Sequence, residues 1–388
     1  MIKLSENTIS KNEIKHLAKW LKTFPKLTKD QITVEFENKW SNYLGIKYST
    51  FVNSGSSAIL ITLYALDILG KLNNKKIVIP SLSWATDLAP AIQLGLVPIL
   101  CDCNMDDLSV DIEQLENIFK TEHPDCLILV SVLGLVPDMD KISLLCNKYN
   151  VILLEDACES VGSLCNGKKL GTYGMASVFS FYYGHHISTI EGGMVCTDDS
   201  ELDTVIKMLR SHGWSRDINK SQKLMLKNKY NISDFDELYT FYIPGFNLRS
   251  TDLQAFIGLM QIDKIQSVVK ARNYNYNYYQ ENIINEWKPK DNKNCFVSNF
   301  AYPIITKHRE ELIKSLIENK IETRPLICGS MHKQPFYKYV NSSITNNNLT
   351  NSEIVTKYGL YIPNHPHLSV KDLNKIVKTV NASNGGAE

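Results

Sequence analysis

The sequence lacks any apolar run of the roughly 20 residues that a helix needs to cross a bilayer. Its first residues also lack the basic and then apolar segments that are typical of a signal peptide. The formal net charge is only +1, so no excess of basic charge indicates a nucleic acid or a membrane surface as a partner. We therefore expect a cytoplasmic protein that holds any anionic ligand by local positive charge.

The nine cysteines do not form the pattern of a disulfide scaffold or of a metal site. Their number is odd, and the one close pair, Cys101 and Cys103, has no second pair at the spacing of metal ligands. The others are scattered, mostly through apolar stretches, where reduced thiols serve as small hydrophobic side chains. We expect neither a metal ion nor an iron–sulfur cluster.

Short β-rich runs alternate with amphipathic segments between residues 47 and 200. The candidate strands are 76–80, 97–103, 126–133, 151–157, 177–181 and 193–197. Continuous apolar strands separated by helical patterns predict a mostly parallel sheet that helices cover on both faces. In such sheets ligands usually bind beyond the carboxyl ends of the strands.

The rest of the chain, which has 388 residues in all, predicts a second and smaller unit. Residues 218–239 are rich in polar side chains and predict a solvated insertion, and a helical pattern follows over 250–281. Beyond it, the segment 297–326 predicts a strand, a helix and a strand. We therefore predict a large cofactor-binding domain over 1–250, and a connecting helix with a small domain over 251–388.

Three motifs follow predicted strands. The segment 53–58 places small residues and hydroxyl groups at the start of a helical stretch, which is typical of an anion site but also of an ordinary helix cap. Asp156, at the end of an apolar strand, could cap the next helix or pair with a pyridinium nitrogen. Trp84 follows another strand and could stack on a flat ring, although an isolated tryptophan more often belongs to the core.

The segment from Ser180 to Met194 carries the most specific pattern. It resembles the DegT/DnrJ/EryC1/StrS sugar aminotransferase family of fold-type I pyridoxal phosphate (PLP) enzymes. In that family a lysine follows the serine of Ser-Phe by five residues and precedes Glu-Gly-Gly by six. Here the fifth residue after Ser180 is His185, and the sixth after that is Glu191, which two glycines follow. The resemblance continues through the segments 210–214, 244–249 and 323–325.

Paired histidines before Glu-Gly-Gly are similar to one branch of this family, the GDP-4-keto-6-deoxy-D-mannose 3-dehydratases. The segment from His212 to Arg216 also resembles that branch. One position departs from it, because those dehydratases have serine immediately before the active-site histidine and this chain has Gly184. The resemblance implies an α/β fold of the aspartate aminotransferase type, with a large mostly parallel-sheet domain and a smaller C-terminal α/β domain.

The resemblance also implies a role for each matching residue. At the cofactor phosphate it implies Gly55, Ser56, Ser180 and Asn247, and at the cofactor ring Trp84, Asp156 and Glu159. Asn247 would come from a second copy of the chain, which implies a homodimer with shared active sites. The residues implied for the substrate are His212, Arg216, Arg249 and Arg324. Arginine binds carboxylates and phosphates in bidentate fashion, which suits the amino-acid carboxylate for Arg249 and a diphosphate or sugar for the other two.

Histidine at the lysine position changes the implied reaction. Imidazole cannot form the stable imine by which lysine anchors an aldehyde, but it moves protons near neutral pH. We therefore expect PLP to bind without a covalent bond and glutamate to convert it to pyridoxamine phosphate. A nucleotide-linked 4-keto-6-deoxyhexose would then lose its C3 hydroxyl, with His185 as the acid and base. His186 is the competing base.

Two other functions stay open. The chain could be an aminotransferase that makes an amino sugar with the same cofactor contacts, or a non-catalytic scaffold that binds PLP. The product distinguishes the aminotransferase from the dehydratase. Conversion of bound PLP by glutamate distinguishes either enzyme from the scaffold.

Overall fold

A computed structural model describes residues 1–290, 293–340 and 348–384 of the chain. The helices in these ranges are α1 (Lys11–Leu21), α2 (Gln31–Leu44), α3 (Gly55–Ile68), α4 (Ala85–Gln93), α5 (Ile112–Glu122), α6 (Met139–Tyr149), α7 (Ser200–Arg210), α8 (Lys220–Tyr230), α9 (Asp252–Asp263), α10 (Ile265–Asn282), α11 (Arg309–Glu318), α12 (Thr350–Tyr358) and α13 (Val370–Asn384). The strands are β1 (Tyr48–Val52), β2 (Lys76–Pro80), β3 (Val97–Cys101), β4 (Cys126–Val130), β5 (Ile152–Asp156), β6 (Leu164–Cys165), β7 (Lys168–Lys169), β8 (Ala176–Ser180), β9 (Gly193–Thr197), β10 (Cys295–Phe296), β11 (Ala301–Ile305), β12 (Arg324–Pro325) and β13 (Gly359–Pro363). None of the helices in this part of the chain combines the length and the apolarity that crossing a membrane requires.

A seven-stranded sheet lies at the centre of the fold, in the order β1-β9-β8-β5-β4-β2-β3. The strands from β3 to β8 in this order pair in parallel, whereas β9 is antiparallel to both β8 and β1. The predicted α/β class is confirmed, and the predicted bounds of β2 and β9 agree with the structure. β1 was not predicted, because its mixed polar sequence becomes a strand only through pairing with β9.

Apolar side chains on both faces of this sheet form the core. Every residue of β4 is buried. Side chains of α3 and α7 pack in one apolar cluster, and those of α5 and α6 pack in another. Parallel strands need such cover because their side chains leave water on both faces, and each fully buried leucine or isoleucine contributes about 1.5–3 kcal/mol.

A smaller antiparallel sheet follows in the order β11-β13-β12. Apolar side chains of α11 and α13 pack in the same core cluster as those of this sheet. The predicted strand, helix and strand correspond to β11, α11 and β12. The division of the chain at residue 250 stays a prediction, and Ile2 at the other end of the chain forms a bridge with Ile321 beside this sheet.

Two predicted segments differ in detail. The helical pattern over 250–281 is two helices, α9 and α10, because the backbone leaves the helical conformation at Lys264. The Lys264 ammonium lies 2.7 Å from the carboxylate of Glu13 and also binds the carbonyl of Thr8. The solvated insertion over 218–239 contains α8, which has no buried residue.

A buried ion pair closes the free edge of β1. Arg210, at the end of α7, is 1% exposed, and its Nη1 donates to Glu37 at 2.5 Å and to the carbonyl of Phe51 at 2.9 Å. The N–H of Phe51 donates to the same carboxylate at 2.8 Å. Side chains therefore satisfy both backbone groups of Phe51, which would otherwise face outward on an edge strand. Nη2 of Arg210 also holds Asp217 at 3.0 Å.

We expect Arg210→Met to lower the free energy of unfolding by about 3–5 kcal/mol, because it leaves the carboxylate of Glu37 buried without its partner. Urea unfolding of the cofactor-free protein measures this change. Lys148→Met is the control, since it breaks an exposed ion pair of 2.8 Å with Glu116 and should shift the urea midpoint little. Equal shifts in the two variants would contradict the prediction.

Candidate active site

The carboxyl ends of parallel strands bring the predicted cofactor residues to one edge of the sheet. β5 ends at Asp156 and β8 at Ser180, and the two strands pair in parallel. β2 ends at Pro80, and Trp84 follows it as the residue before α4. Trp84 is 57% exposed, so its ring is open to contact by a ligand.

The start of α3 lies against the end of β8. A Cβ atom built at Gly55 would lie 2.9 Å from Cβ of Ser180 and 3.1 Å from Sγ of Cys158, so only glycine permits this approach. Ser54 caps the helix by accepting the N–H of Ser57 at 3.1 Å, and Ser56 is exposed in the first turn. Free N–H groups and the positive end of the helix dipole make this position suitable for a phosphate.

Asp156 supplies a buried carboxylate beside this anion site. It is 7% exposed and accepts the N–H of Cys158 at 2.9 Å. An exposed indole, a buried carboxylate and a helix N-terminus complement the flat ring, the protonated nitrogen and the phosphate of PLP. The residues present therefore fit this cofactor.

His185 and His186 have different surroundings. His186 is fully buried, with its Nε2 2.8 Å from the carbonyl oxygen and 3.0 Å from the hydroxyl of Ser298. His185 is half-buried against the ring of Phe300, at 5.5 Å between centroids, and its Nδ1 has no hydrogen-bond partner within the described residues. Burial lowers the pKa of His185 to about 4, and the charge of Arg272 acts in the same direction. The imidazole is thus neutral at pH 7 and able to accept a proton.

Two glutamates flank Asp156 in the sequence and have different roles. Glu159 is half-buried and accepts the N–H of Leu133 at 2.7 Å. Burial, together with the nearby charge of Asp156, raises the pKa of Glu159 to about 8, so this side chain holds a proton at pH 7. Glu155 instead accepts three backbone N–H groups of residues 171–174 at 2.6–2.7 Å and anchors the connection that leads into β8.

A row of rings extends from His185 to the smaller sheet. The ring of Phe300, which packs on His185, also lies 6.3 Å from that of Tyr361. Tyr361 on β13 is the register partner of Arg324 on β12. The side chain of Arg324 is 54% exposed, with Nη2 2.6 Å from Glu322. Phe300 and Tyr361 therefore lie between His185 and the strand that carries Arg324.

His212, Asn247 and Arg249 lie together beside the carboxyl end of β1. Bridges join Ser211 to Asn247 and Val52 to Arg249, and Nη2 of Arg249 lies 3.5 Å from Nε2 of His212. Within one chain Asn247 thus has its bridge partner at the end of α7. Its predicted contribution to the phosphate site of a second copy stays a prediction.

Arg216 and Arg249 line one cavity of about 620 Å³ with Lys29 and Trp214. The guanidinium of Arg216 lies 3.8 Å from the centre of the Trp214 ring and donates to the carbonyl of Leu238 at 2.9 Å. An arginine that is stacked and hydrogen-bonded in this way is held in place while its charge faces the cavity. The cavity is suitable for an anionic ligand.

Residues 7–381 match the DegT/DnrJ/EryC1/StrS aminotransferase family. The chain belongs to this family. It is 33% identical over 357 residues to the GDP-4-keto-6-deoxy-D-mannose 3-dehydratase of Yersinia pseudotuberculosis, which covers 89% of this chain and 90% of that enzyme. It is 28% identical over 353 residues to the GDP-perosamine synthase of Caulobacter vibrioides, with coverage of 89% and 88%.

A solved structure of GDP-4-keto-6-deoxymannose-3-dehydratase with a trapped PLP–glutamate geminal diamine is also similar. It superimposes with a TM-score of 0.88 over 98% of this chain and 100% of that chain, at 28% identity. Membership in the DegT/DnrJ/EryC1/StrS family confirms the resemblance carried by the segment that begins at Ser180. Together with the superposition, it confirms the PLP-dependent aminotransferase fold, and the chain is an enzyme of that superfamily.

Three residues near this site were missed by the sequence analysis: Asp87, Phe300 and Tyr361. Asp87 lies in the first turn of α4, where an acidic residue is typical of a helix start. Phe300 and Tyr361 lie far beyond His185 in the sequence, and no local pattern marks them. Only the packing of the smaller sheet against the strand ends shows that they belong to the site.

We expect Gly193→Ala to weaken PLP binding about tenfold or more and to lower the free energy of unfolding by about 1–3 kcal/mol. A Cβ atom there would lie 2.3 Å from the carbonyl of Ser54 and 2.5 Å from the nitrogen of Gly55, so the start of α3 would have to shift. Gly184→Ala is the matched control, because its Cβ would make only an ordinary 3.5 Å contact with Phe300. Fluorescence titration with PLP and urea unfolding measure both effects, and equal losses in the two variants would refute this account.

We also expect the ring signals of His185 in cofactor-free protein to titrate near pH 4 in an NMR experiment. The signals are assigned by their loss in His185→Asn. Because an unfolded imidazole takes up its proton near pH ~6.5, the lowered pKa in the folded state stabilises the protein above that pH, and this stability is lost as the pH falls towards 4. A midpoint above pH 6 would show that the ring is not held neutral by burial.

Proposed function

We propose that the chain is a nucleotide-sugar 3-dehydratase that uses PLP without a covalent bond. Its substrate would be a GDP-linked 4-keto-6-deoxyhexose, and glutamate would convert the cofactor to pyridoxamine phosphate. The observation that carries this proposal is a neutral, half-buried imidazole, His185, at the lysine position of the family pattern. The imidazole of His185 lies beside the backbone of Cys158, and Cys158 follows Asp156 by two residues in the sequence. Such a group moves protons but cannot anchor the cofactor as an imine.

The proposed cofactor contacts follow from the strand ends. The first turn of α3, with Gly55 and Ser56, and the hydroxyl of Ser180 would bind the phosphate. Trp84 would stack on the ring, and Asp156 would keep the ring nitrogen protonated. With these four groups in place, binding needs no covalent bond.

His185 is the residue that we assign to proton transfer. When bound, pyridoxamine phosphate supplies an amine for the sugar ketone and a ring that accepts electrons. The neutral imidazole of His185 would take a proton from the C4′ carbon of the cofactor, coupled to loss of the C3 hydroxyl of the sugar. His186 is less suitable, because Ser298 already occupies its Nε2 in the interior.

The similar proteins support this proposal without deciding it. The relative in Yersinia pseudotuberculosis is named as a 3-dehydratase, and the 3-dehydratase structure described above contains PLP joined to glutamate. The GDP-perosamine synthase of Caulobacter vibrioides favours the second candidate, an aminotransferase that makes an amino sugar. A non-catalytic scaffold would not require His185 in the family frame together with Asp156 and Glu191.

A homodimer is part of the proposal. The segment that carries Asn247 and Arg249 bridges to Ser211 and Val52, and the carbonyl of Leu248 accepts the N–H of Asn53 at 3.0 Å. The family resemblance assigns Asn247 to the phosphate site of a second copy. Arg216, Arg249 and His212 would then contribute to the binding of substrate anions, and Arg324 would approach from the smaller sheet.

We expect the protein, supplied with PLP, glutamate and GDP-4-keto-6-deoxymannose, to release one ammonia for each deoxygenated sugar that it forms. His185→Asn should lower kcat about 10²–10⁴-fold, because a proton-transfer group is lost. A coupled ammonia assay and mass spectrometry of the sugar measure the two products. Stoichiometric amino sugar without ammonia would support the aminotransferase and refute the dehydratase.

His123→Asn is the control variant, because His123 ends α5 in a left-handed conformation that asparagine also adopts. It should keep full turnover. His186→Asn should affect stability more than turnover, since it breaks the buried contact with Ser298. If His186→Asn alone abolishes turnover in a folded protein that binds PLP, His186 is the base. If glutamate never converts PLP in the wild type, both enzymatic functions fail.

A further inference from the structure

A second carboxylate, Asp87, lies behind Asp156. Asp87 is fully buried in the first turn of α4. Its Oδ2 accepts the hydroxyl of Ser83 and the N–H of Trp84, the latter at 3.2 Å. Its Oδ1 is buried and has no hydrogen-bond donor among the residues that the structure describes. This side chain faces the carboxylate of Asp156 within hydrogen-bonding reach.

Among the residues that the structure describes, no lysine, arginine or histidine forms an ion pair with either carboxylate. Besides Asp156, the titratable groups that face Asp87 are the thiols of Cys158 and Cys328. Burial keeps both thiols in the neutral form by raising their pKa, to about 11 for Cys328. The carboxyl of Glu159 lies next to Asp156 and is itself protonated at pH 7. Burial, reinforced by the charge of Asp156, raises the pKa of Asp87 well above its usual value.

Two buried carboxylates within hydrogen-bonding reach cannot both stay ionised, so one proton is shared between them. Asp87 is the deeper of the two, at 0% exposed against 7%, and its Oδ1 has no donor among the described residues. Asp156 lies at the strand end, accepts the N–H of Cys158 and is open to the site. A proton on Oδ1 of Asp87 would convert a repulsive contact into a hydrogen bond.

We propose that Asp87 is a positioning residue that remains protonated and donates its O–H to Asp156, so that Asp156 stays ionised and correctly oriented towards the cofactor ring nitrogen. This inference rests on the proposed function, because the ring nitrogen is assigned to Asp156 there. With Asp87 protonated, the cofactor ring would face a single negative charge, the carboxylate of Asp156, and the O–H of Asp87 would keep that carboxylate in position. The Trp84 N–H on the same carboxyl group also ties the stacking residue to this pair.

Asparagine at position 87 is the decisive replacement. Its amide oxygen can accept the hydroxyl of Ser83 and the N–H of Trp84, and its NH₂ group can donate to Asp156, as a protonated acid would. Leucine has a similar shape and lacks the donor. Asp87→Asn should therefore keep the PLP dissociation constant within about twofold, and Asp87→Leu should raise it about tenfold or more, because a buried hydrogen bond to a charged group is lost.

Infrared spectroscopy of the cofactor-free protein tests the proton directly. At pH 7 the wild type should show the C=O stretching band of a protonated carboxylic acid, and this band should be missing in Asp87→Asn. Glu159 contributes a similar band, so Glu159→Gln is measured as well. The band assigned to Asp87 should persist in Glu159→Gln. This measurement needs no sugar and no turnover, and it uses the wild type even if Asp87→Leu fails to fold.

Several outcomes would overturn the inference. The first is an infrared spectrum of the wild type that does not differ from that of Asp87→Asn. The second is a tenfold loss of PLP affinity in folded Asp87→Asn. The third is equal PLP affinity in folded Asp87→Leu and Asp87→Asn. Asp107→Asn, which changes a half-buried carboxyl bonded to Asn104 and Ser109 elsewhere, should leave PLP affinity unchanged. If the infrared band and the affinities behave as expected but no deoxygenated sugar forms, the proposed function fails and the shared proton stands.

Discussion

The parallel pairing of β5 with β8, and of β4 with both β5 and β2, is the constraint on which the rest of the site depends. It places the carboxyl ends of these strands at one edge, and with them Trp84, Asp156 and Ser180. The approach of Gly55 to Ser180 then brings the start of α3 to the same edge. Without this pairing, the three side chains would be far apart in space, as they are in the sequence.

Burial sets the protonation states at this edge. His185 is neutral because its surroundings do not stabilise a cation and Arg272 lies nearby. Burial and the charge of Asp156 raise the pKa of Glu159 to about 8 and that of Asp87 well above its usual value. Asp156 lies at the strand end, where a carboxylate would meet the ring nitrogen of the cofactor. The site thus combines this carboxylate with buried groups whose pKa values are shifted towards the neutral form.

The sequence predicted the elements with strong local patterns and missed those that depend on distant partners. β2 and β9 were predicted with the observed bounds, because apolar runs between turn residues are local signals. β1 was missed because its pairing with β9 defines it. The helix break at Lys264 was missed because the partners of this side chain, Glu13 and Thr8, lie far away in the sequence. No residue-by-residue pattern could place those contacts.

By itself, the sequence determined the family, the α/β class and the position of histidine in place of lysine. The number of residues from Ser180 to His185, and from His185 to Glu191, can be counted in the sequence without a structure. Only the tertiary structure decided the surroundings of the two histidines, since His186 is fully buried against Ser298 and His185 is half-buried against Phe300. It also placed Asp87 behind Asp156. Both outcomes depend on burial and on contacts between distant segments, because the protonation state of a side chain is set by what surrounds it in space.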